Sequence, residues 1–360
     1  MKILVAMSGG VDSSVAAKLL LDAGNECIGC TMKLYNNEDA GVPRSHTCCT
    51  LDDTEDARSV AYRLGMPYYV FNFSHDFKNK IIDKFAACYF CGITPNPCID
   101  CNRYMKFDKL FDRAEILDCD RIATGHYART EYENGRYILK KATDPEKDQS
   151  YVLYSMTQAQ LAKTLFPLGA MNKSETREIA RKNGFINSDK PDSQDICFVP
   201  DGDYAKIAEL HAGKKAAEGD FVDANGKILG RHKGIIHYTI GQHKWLGLSL
   251  PNKMYVRRID AKSNTVVLGS EAELYTKEAF ANDFNWISGE VPSSHFRCTA
   301  VTRYHKREAG AEVTPIGKNA VKIVFDEPQK AVAPGQAAVL YDGDTVLGGG
   351  TIINNGESEL

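Results

Sequence analysis

Ser8-Gly9-Gly10-Val11-Asp12-Ser13-Ser14 decides the fold of this chain. An apolar run, Ile3-Leu4-Val5-Ala6-Met7, precedes it and reads as a buried first strand. From Val11 to Leu21 apolar residues recur at helical spacing, and Gly24 stands where a left-handed C-cap belongs. The stretch is therefore a strand-to-helix turn. Gly9 and Gly10 are expected to adopt positive φ and to let the backbone approach a bulky anion with no Cβ in the way. N–H groups at the helix start point at that anion, and the helix dipole favours its charge. Ser8, Ser13 and Ser14 add hydroxyl donors. No Gly-Lys-Ser/Thr follows, so this is not a Walker A loop. Gly-x-Gly-x-x-Gly is absent, so it is not the dinucleotide fingerprint.

Working outward, Glu26 to Leu34 reads as a second strand with Met32 near its end, Asp52 to Gly65 as a helix, and Tyr68 to Phe73 as a third strand. The alternation predicts an α/β fold: a parallel sheet with right-handed crossovers, ligands lying beyond the carboxyl ends of the strands. Met32 suits either an adenine ring or the core. His75 to Cys91 has an amphipathic helical pattern. In Thr94-Pro95-Asn96-Pro97-Cys98-Ile99-Asp100-Cys101-Asn102-Arg103 two prolines predict a stiffened loop, with a helix from Asn102 to Cys119. Arg121 to Tyr127 reads as a fourth strand, and Gly125 near its end leaves room for a nucleotide. His126 is either a structural or a catalytic histidine. Glu131 to Lys141 predicts a hairpin around Asn134-Gly135. Asn172-Lys173-Ser174-Glu175 is a capping box that starts a helix ending at Gly184. Cys197 stands alone in a loop, Pro191 to Phe198.

The chain has 360 residues, enough for two or three domains, with a net charge of −3 and 43% hydrophobic residues. A folded protein is expected, with any nucleic-acid surface local rather than global. There is no run of eighteen apolar residues and no signal peptide pattern, which predicts a cytoplasmic protein without a membrane partner. Its eleven cysteines then stay mostly reduced and invite metal or redox chemistry. After Pro200 short strands and Gly/Asn/Asp turns take over. The expected division is 1–204 for the parallel-sheet domain, 205–272 for a small β-rich domain and 273–360 for a barrel-like one. Within the last, Thr302-Arg303-Tyr304-His305-Lys306-Arg307 interleaves cations with an aromatic, suited to a phosphate backbone and a stacked base.

Ser-Gly-Gly-x-Asp-Ser resembles the signature of the pyrophosphatase-type loop enzymes, which split ATP into AMP and pyrophosphate. With Thr94-Pro95-Asn96-Pro97, Cys101-Asn102, Lys106-Phe107, Ala123-Thr124-Gly125-His126-Tyr127, Lys147-Asp148-Gln149-Ser150-Tyr151, Asp192-Ser193, Ile196-Cys197-Phe198, Tyr238-Thr239-Ile240-Gly241-Gln242, Arg303-Tyr304, Phe325-Asp326-Glu327-Pro328 and Pro334-Gly335-Gln336, the chain resembles the tRNA-specific 2-thiouridylases over nearly its whole length. The resemblance implies ATP and Mg2+ as cofactors and tRNA, at its anticodon region, as partner. It also implies a sulfur donor such as a cysteine desulfurase or a sulfur-relay protein. ATP adenylates O2 of the wobble uracil, and a sulfur nucleophile expels AMP. By position Cys197 receives sulfur as a persulfide, and Cys101 is the partner nucleophile that afterwards forms a disulfide with it. Ala6, Met7, Ser8, Gly9, Gly10, Val11, Asp12, Ser13, Met32 and Gly125 map to ATP contacts. Asn96, Pro97 and Cys98 map to the base, and Lys147, Asp148, Gln149, Arg303 and Tyr304 to tRNA.

Two features depart from that pattern. Where the better-known subgroup has an aspartate, this chain has Cys98, which creates Cys98-x-x-Cys101. With Cys197 these thiols could hold a [4Fe–4S] cluster with one iron open to sulfide, an alternative to the persulfide route. Cys88-x-x-Cys91 could join them in a four-cysteine zinc site or simply pack on a helix. Cys27 and Cys30, on opposite faces of a strand, and Cys48-Cys49 read as structural. Finally, His243 and Trp245 stand where the family carries Arg and Gly. An amide-forming synthetase built on the same loop is the competing activity, disfavoured by thiols at Cys101 and Cys197 in exposed loops.

Overall fold

β1 (Lys2–Ala6) is the middle strand of a five-stranded sheet, and Ile3, Leu4 and Val5 are almost wholly buried there. That is the burial a parallel strand covered on both faces requires. The computed structural model describes residues 1–41, 51–191, 195–304 and 306–354. β2 (Glu26–Lys33) and β3 (Tyr68–Asn72) lie on one side of β1. On the other are β4 (Arg121–Ala123) and, after a hairpin of β5 (Arg129–Glu133) and β6 (Arg136–Lys140), β7 (Thr164–Leu165). All four pairings are parallel, in the order β3-β2-β1-β4-β7. The order reverses beside β1, so the crevice opens at its carboxyl end, where Ser8–Ser14 sits. Cys27 and Cys30 are buried in different apolar clusters on the two faces of β2, the structural role expected of them. Cys48 and Cys49 lie outside the described residues.

Helical structure continues over 74–90 with a π-helical turn at Lys78–Ile82. The next helix corrects the sequence reading. It begins at Pro97 rather than Asn102 and runs over 97–116, π-helical between Cys101 and Lys109. Pro97 occupies the first helical position, where its missing N–H is no loss, and the Asn96 side chain accepts from Cys98 N at 3.2 Å. Cys101 is therefore a helical residue, not part of an exposed loop.

β4 is also shorter than expected, because the chain at Gly125 turns against the first helix (Val11–Asp22). A Cβ on Gly125 would lie 2.7 Å from Ser13 N. The glycine serves the approach of two backbones.

The β-rich part forms two further sheets. β8 (Gly219–Val222), β9 (Ile228–His232), β10 (Tyr255–Asp260) and β11 (Thr265–Gly269) make a four-stranded sheet in the order β10-β11-β8-β9. β12 (Tyr275–Trp286), β13 (Phe296–Val301), β14 (Ala309–Ile316), β15 (Ala320–Lys330), β16 (Ala337–Asp342) and β17 (Thr345–Ile353) close on themselves through β12–β17 into a six-stranded barrel. The hairpin forms at its expected turn, with Asn134 and Gly135 both at positive φ (50° and 81°). By hydrogen bonding it belongs to the barrel: Lys140 pairs with Thr345, and Lys141 N donates to Asp344 O at 2.8 Å. One apolar cluster runs from Leu4, Ile28 and Phe107 through Leu139 and Tyr154 to Val301, Val339 and Val346, so sheet and barrel share a core.

Candidate active site

The loop after β1 uses its two glycines differently. Gly9 has φ +78°, and a Cβ there would meet Asp53 O at 2.3 Å. Gly10, expected to share that backbone, is instead extended (φ −85°) as the N-cap of the first helix. Ser13 and Ser14 hydroxyls both donate to Gly10 O at 3.1 Å, and Ser8 N donates to Ser13 Oγ at 3.1 Å. Met7 and Val11 turn their side chains into the core, so only their backbone is available to a nucleotide. Met32 is partly buried between two apolar clusters, and Ala6 packs at the edge of one.

Residues that the sequence reading did not single out hold this loop in shape. Lys173 Nζ lies 2.7 and 2.8 Å from the two oxygens of Asp12, and Tyr127 Oη donates to Asp12 Oδ1 at 2.9 Å. Asn187 Nδ2 donates to Gly9 O at 2.9 Å and to Ser14 Oγ at 3.0 Å. Lys190 pairs with Asp53 and, at 2.7 Å, with Asp56. Arg177 donates to Ser188 O and Lys190 O, both at 3.2 Å, fixing the segment that carries Asn187 and Lys190. The only forewarning was the capping box, which forms as expected: Asn172 N donates to Glu175 Oε2 at 2.7 Å and sets Lys173 at the helix start.

Cys101 and Cys197 flank one apolar cluster, which also contains Phe77, Phe85 and Phe198. The Tyr35 hydroxyl donates to Cys197 O, fixing the backbone there. Cys98 is exposed as a residue, yet protein surrounds its thiol closely enough for burial to push it up. Lys106 pulls that thiol the other way, and Asp195 pushes it further up. The hydroxyls of Tyr204 and Tyr304 also feel the Cys98 charge, and that of Tyr204 feels Arg303. Lys106, Asp195, Tyr204 and Tyr304 thus lie within electrostatic reach of Cys98.

Among the described residues no group of three His, Cys, Asp or Glu side chains is placed to hold a metal ion. Cys98, Cys101 and Cys197 do not converge as cluster ligands, nor do Cys88 and Cys91 complete a zinc site with Cys98 and Cys101.

His126 is buried, with Nδ1 at 2.7 Å from Thr124 Oγ1 and Nε2 at 3.3 Å from Lys106 Nζ. Burial, then the Lys106 charge, holds it well below the usual histidine range. It is neutral in the fold and takes a proton in the unfolded chain below about pH 6.5. The folded pKa is the lower one, so this histidine withdraws stability as pH falls, at up to about 1.4 kcal/mol per pH unit. Urea denaturation between pH 7 and pH 5 is expected to show a steeper loss for the wild type than for His126→Gln. Parallel curves would refute it.

The tRNA-facing residues divide. Asp148 accepts from Ala142 N (2.9 Å), Ser150 N (3.2 Å) and Ser150 Oγ (2.7 Å), and Gln149 Oε1 accepts from Tyr127 N (3.0 Å). These hydrogen bonds order the loop that carries both residues, and each stays partly exposed. Asn96 caps its helix, and Pro97 is buried at the first helical position. Arg303 is exposed, Tyr304 rests 5.7 Å from Tyr151 between ring centroids, and Lys147 is half-buried. His305 and Asp192-Ser193 lie outside the described residues. Trp245 is 89% exposed with φ +62°, the backbone that favours glycine.

Family models match three successive regions: a tRNA methyl transferase HUP domain over residues 1–201, a PRC-barrel domain over 209–270 and an aminomethyltransferase β-barrel domain over 276–352. The tRNA-specific 2-thiouridylase MnmA of Clostridioides difficile is 48% identical over 353 residues, covering 98% of each chain. Its counterpart in Acetivibrio thermocellus is 49% identical over 354 residues, covering 98% of this chain and 99% of that one. Among solved structures, a 4-thiouridine synthetase–RNA complex with bound ATP has a TM-score of 0.36 and 19% identity over 59% of this chain and 52% of that one. With nearly half of its residues identical to these relatives over 98% of its length, the chain belongs to the tRNA-specific 2-thiouridylase family.

Proposed function

We propose that this chain replaces O2 of the wobble uridine of tRNA with sulfur, using ATP for activation and Cys197 and Cys101 for sulfur delivery. The uracil O2 attacks the α phosphorus of ATP and expels pyrophosphate, so a poor leaving oxygen becomes part of AMP. Cys197 carries a persulfide loaded by a cysteine desulfurase or a sulfur-relay protein. The Cys101 thiolate attacks the inner sulfur of that persulfide, forming the Cys101–Cys197 disulfide and releasing hydrosulfide. Hydrosulfide adds to C2, and AMP leaves with the original oxygen. An external dithiol, itself oxidised to a disulfide, supplies the two electrons that reset the Cys101–Cys197 bond. Mg2+ arrives on the ATP phosphates and neutralises part of their charge.

One observation carries the reading. The segment leading to Cys197 is tied to the phosphate loop at Asn187 and Lys190. From Lys190 to Cys197 is seven residues, at most about 24 Å of extended chain. This tether supports a reading in which activation and sulfur delivery take place at one end of the sheet. The phenols around Cys98 and the exposed Arg303 give an extruded base and its phosphates places to bind. The amide-forming alternative falls with family membership.

The test loads the purified chain with sulfur from a cysteine desulfurase and cysteine, then adds ATP and tRNA. The expected result is 2-thiouridine and AMP in equal amounts by nucleoside mass spectrometry. AMP without 2-thiouridine would sink the sulfur route, and neither product would sink the whole reading.

A further inference from the structure

We propose that Cys98 resolves the Cys101–Cys197 disulfide, so that each turnover ends as a Cys98–Cys101 disulfide and Cys197 is released for reloading. The proposal rests on the persulfide reading above. The Cys98 thiolate, having given up its proton, attacks the Cys101 sulfur. The Cys101–Cys197 bond breaks, and Cys197 leaves as a thiolate that takes up a proton. One disulfide is exchanged for another, so the step consumes no reductant. The external dithiol then reduces Cys98–Cys101, is itself oxidised to a disulfide, and restores both thiols.

One helix start brings the two cysteines together. Pro97 opens the helix under the Asn96 cap, and Cys101 N donates to the carbonyl oxygens of Pro97 and Cys98. Cys98 and Cys101 therefore stand one turn apart on the same face, with Cβ atoms about 5–6 Å apart. A disulfide needs about 3.5–4.5 Å between Cβ atoms, so the turn has to tighten by only about 1–2 Å. Hydrogen bonding changes from α-helical to π-helical at Cys101, so the ladder is already irregular where it has to yield. Cys197 belongs to a separate segment and meets Cys101 at the rim of a shared apolar cluster. A Cys101–Cys197 bond therefore ties two segments together, whereas a Cys98–Cys101 bond stays within one turn and unties them. Cys98 is exposed while Cys101 and Cys197 are half-buried, so the new disulfide lies nearer to an outside dithiol than the old one. The protein packed around the Cys98 thiol pushes it up, which keeps it protonated at neutral pH and slows it as a first attacker on the persulfide. Lys106 works against that burial and favours the thiolate once the disulfide is there to be attacked.

The experiment loads the full chain with persulfide from a cysteine desulfurase and cysteine, removes small thiols, and adds ATP and tRNA for one turnover. Acid quenching and alkylation then block the remaining thiols, and peptide mass spectrometry without reduction reads which cysteines are joined. The wild type is expected to show Cys98 joined to Cys101 and Cys197 alkylated. Cys98→Ser and Cys98→Ala are expected to stop with Cys101 joined to Cys197. In steady state their kcat/KM for the external dithiol is expected to fall about tenfold or more, since exchange depends on access to the attacked sulfur. A wild type that makes 2-thiouridine and stops with Cys101 joined to Cys197 and Cys98 alkylated would overturn the proposal. So would a kcat/KM for the dithiol that stays within about twofold of wild type in both variants. An anaerobically purified protein in which iron shields all three thiols from alkylation would overturn it too. A wild type that joins none of the three cysteines, whether or not 2-thiouridine forms, would remove the persulfide reading itself, and the proposal with it.

Discussion

Cys197→Ser abolishes 2-thiouridine formation while the protein still makes AMP from ATP in the presence of tRNA. The thiol is the only side-chain group at that position able to carry transferable sulfur, and a serine hydroxyl forms no persulfide. Cys101→Ser is expected to give the same loss, because the second thiol is needed to release the sulfur. Each loss should exceed about a thousandfold, the scale on which removing a nucleophile acts. Both residues are half-buried at the rim of an apolar cluster rather than within it, so folding should survive. The check is nucleoside mass spectrometry of the product tRNA beside an AMP assay on the same sample. Thiolation within tenfold of wild type in either variant would rule out that cysteine as a sulfur carrier.

Gly9→Ala has the second large effect. At φ +78° an alanine is strained, by about 1 kcal/mol. The heavier penalty is the collision of its Cβ with Asp53 O at 2.3 Å and with two further Asp53 backbone atoms at 2.8 Å. Neither backbone can yield cheaply, because Lys190 ties Asp53 down and Asn187 ties Gly9. The loop is expected to leave its anion-binding shape and to lose ATP affinity by about a hundredfold or more. Gly24→Ala is the control. Gly24 has the same φ, but nothing lies within 4 Å of its would-be Cβ. It should lose about 1 kcal/mol of stability and bind ATP like the wild type. Nucleotide titration and thermal melts on the two variants make the comparison, and equal ATP affinities would refute the argument.

The parts of this fold that could be read from residues were those set by local chemistry. The strand-loop-helix start, the Asn134-Gly135 turn, the capping box at Asn172 and the two faces of β2 each follow from a few neighbouring positions. What could not be read depends on contacts between distant parts of the chain. Lys173 meets Asp12 across 161 residues, and Lys190 meets Asp53 across 137. Nothing in the composition around Lys173 separates it from an ordinary surface lysine. Gly125 was legible as a close-approach residue, and the backbone that comes close to it is that of Ser13. Asp148 and Gln149 stand in a polar stretch that looks outward-facing, and only the fold turns them inward. Pro97 read as part of a stiffened loop, although a proline also suits the first position of a helix. The Asn96 cap decides for the second, which moves Cys101 from a loop into a helix.

The hairpin stitched onto β17 bears on any attempt to divide the protein. Cutting after residue 204 would strip Val301, Val339 and Val346 from a cluster that also holds Leu4 and Phe107. The amino-terminal fragment would expose raw apolar surface and a ribbon with an open edge, both routes to clumping. The ATP-handling half is thus no portable module, and a smaller thiolating enzyme would have to be trimmed from its loops rather than severed at its apparent seams.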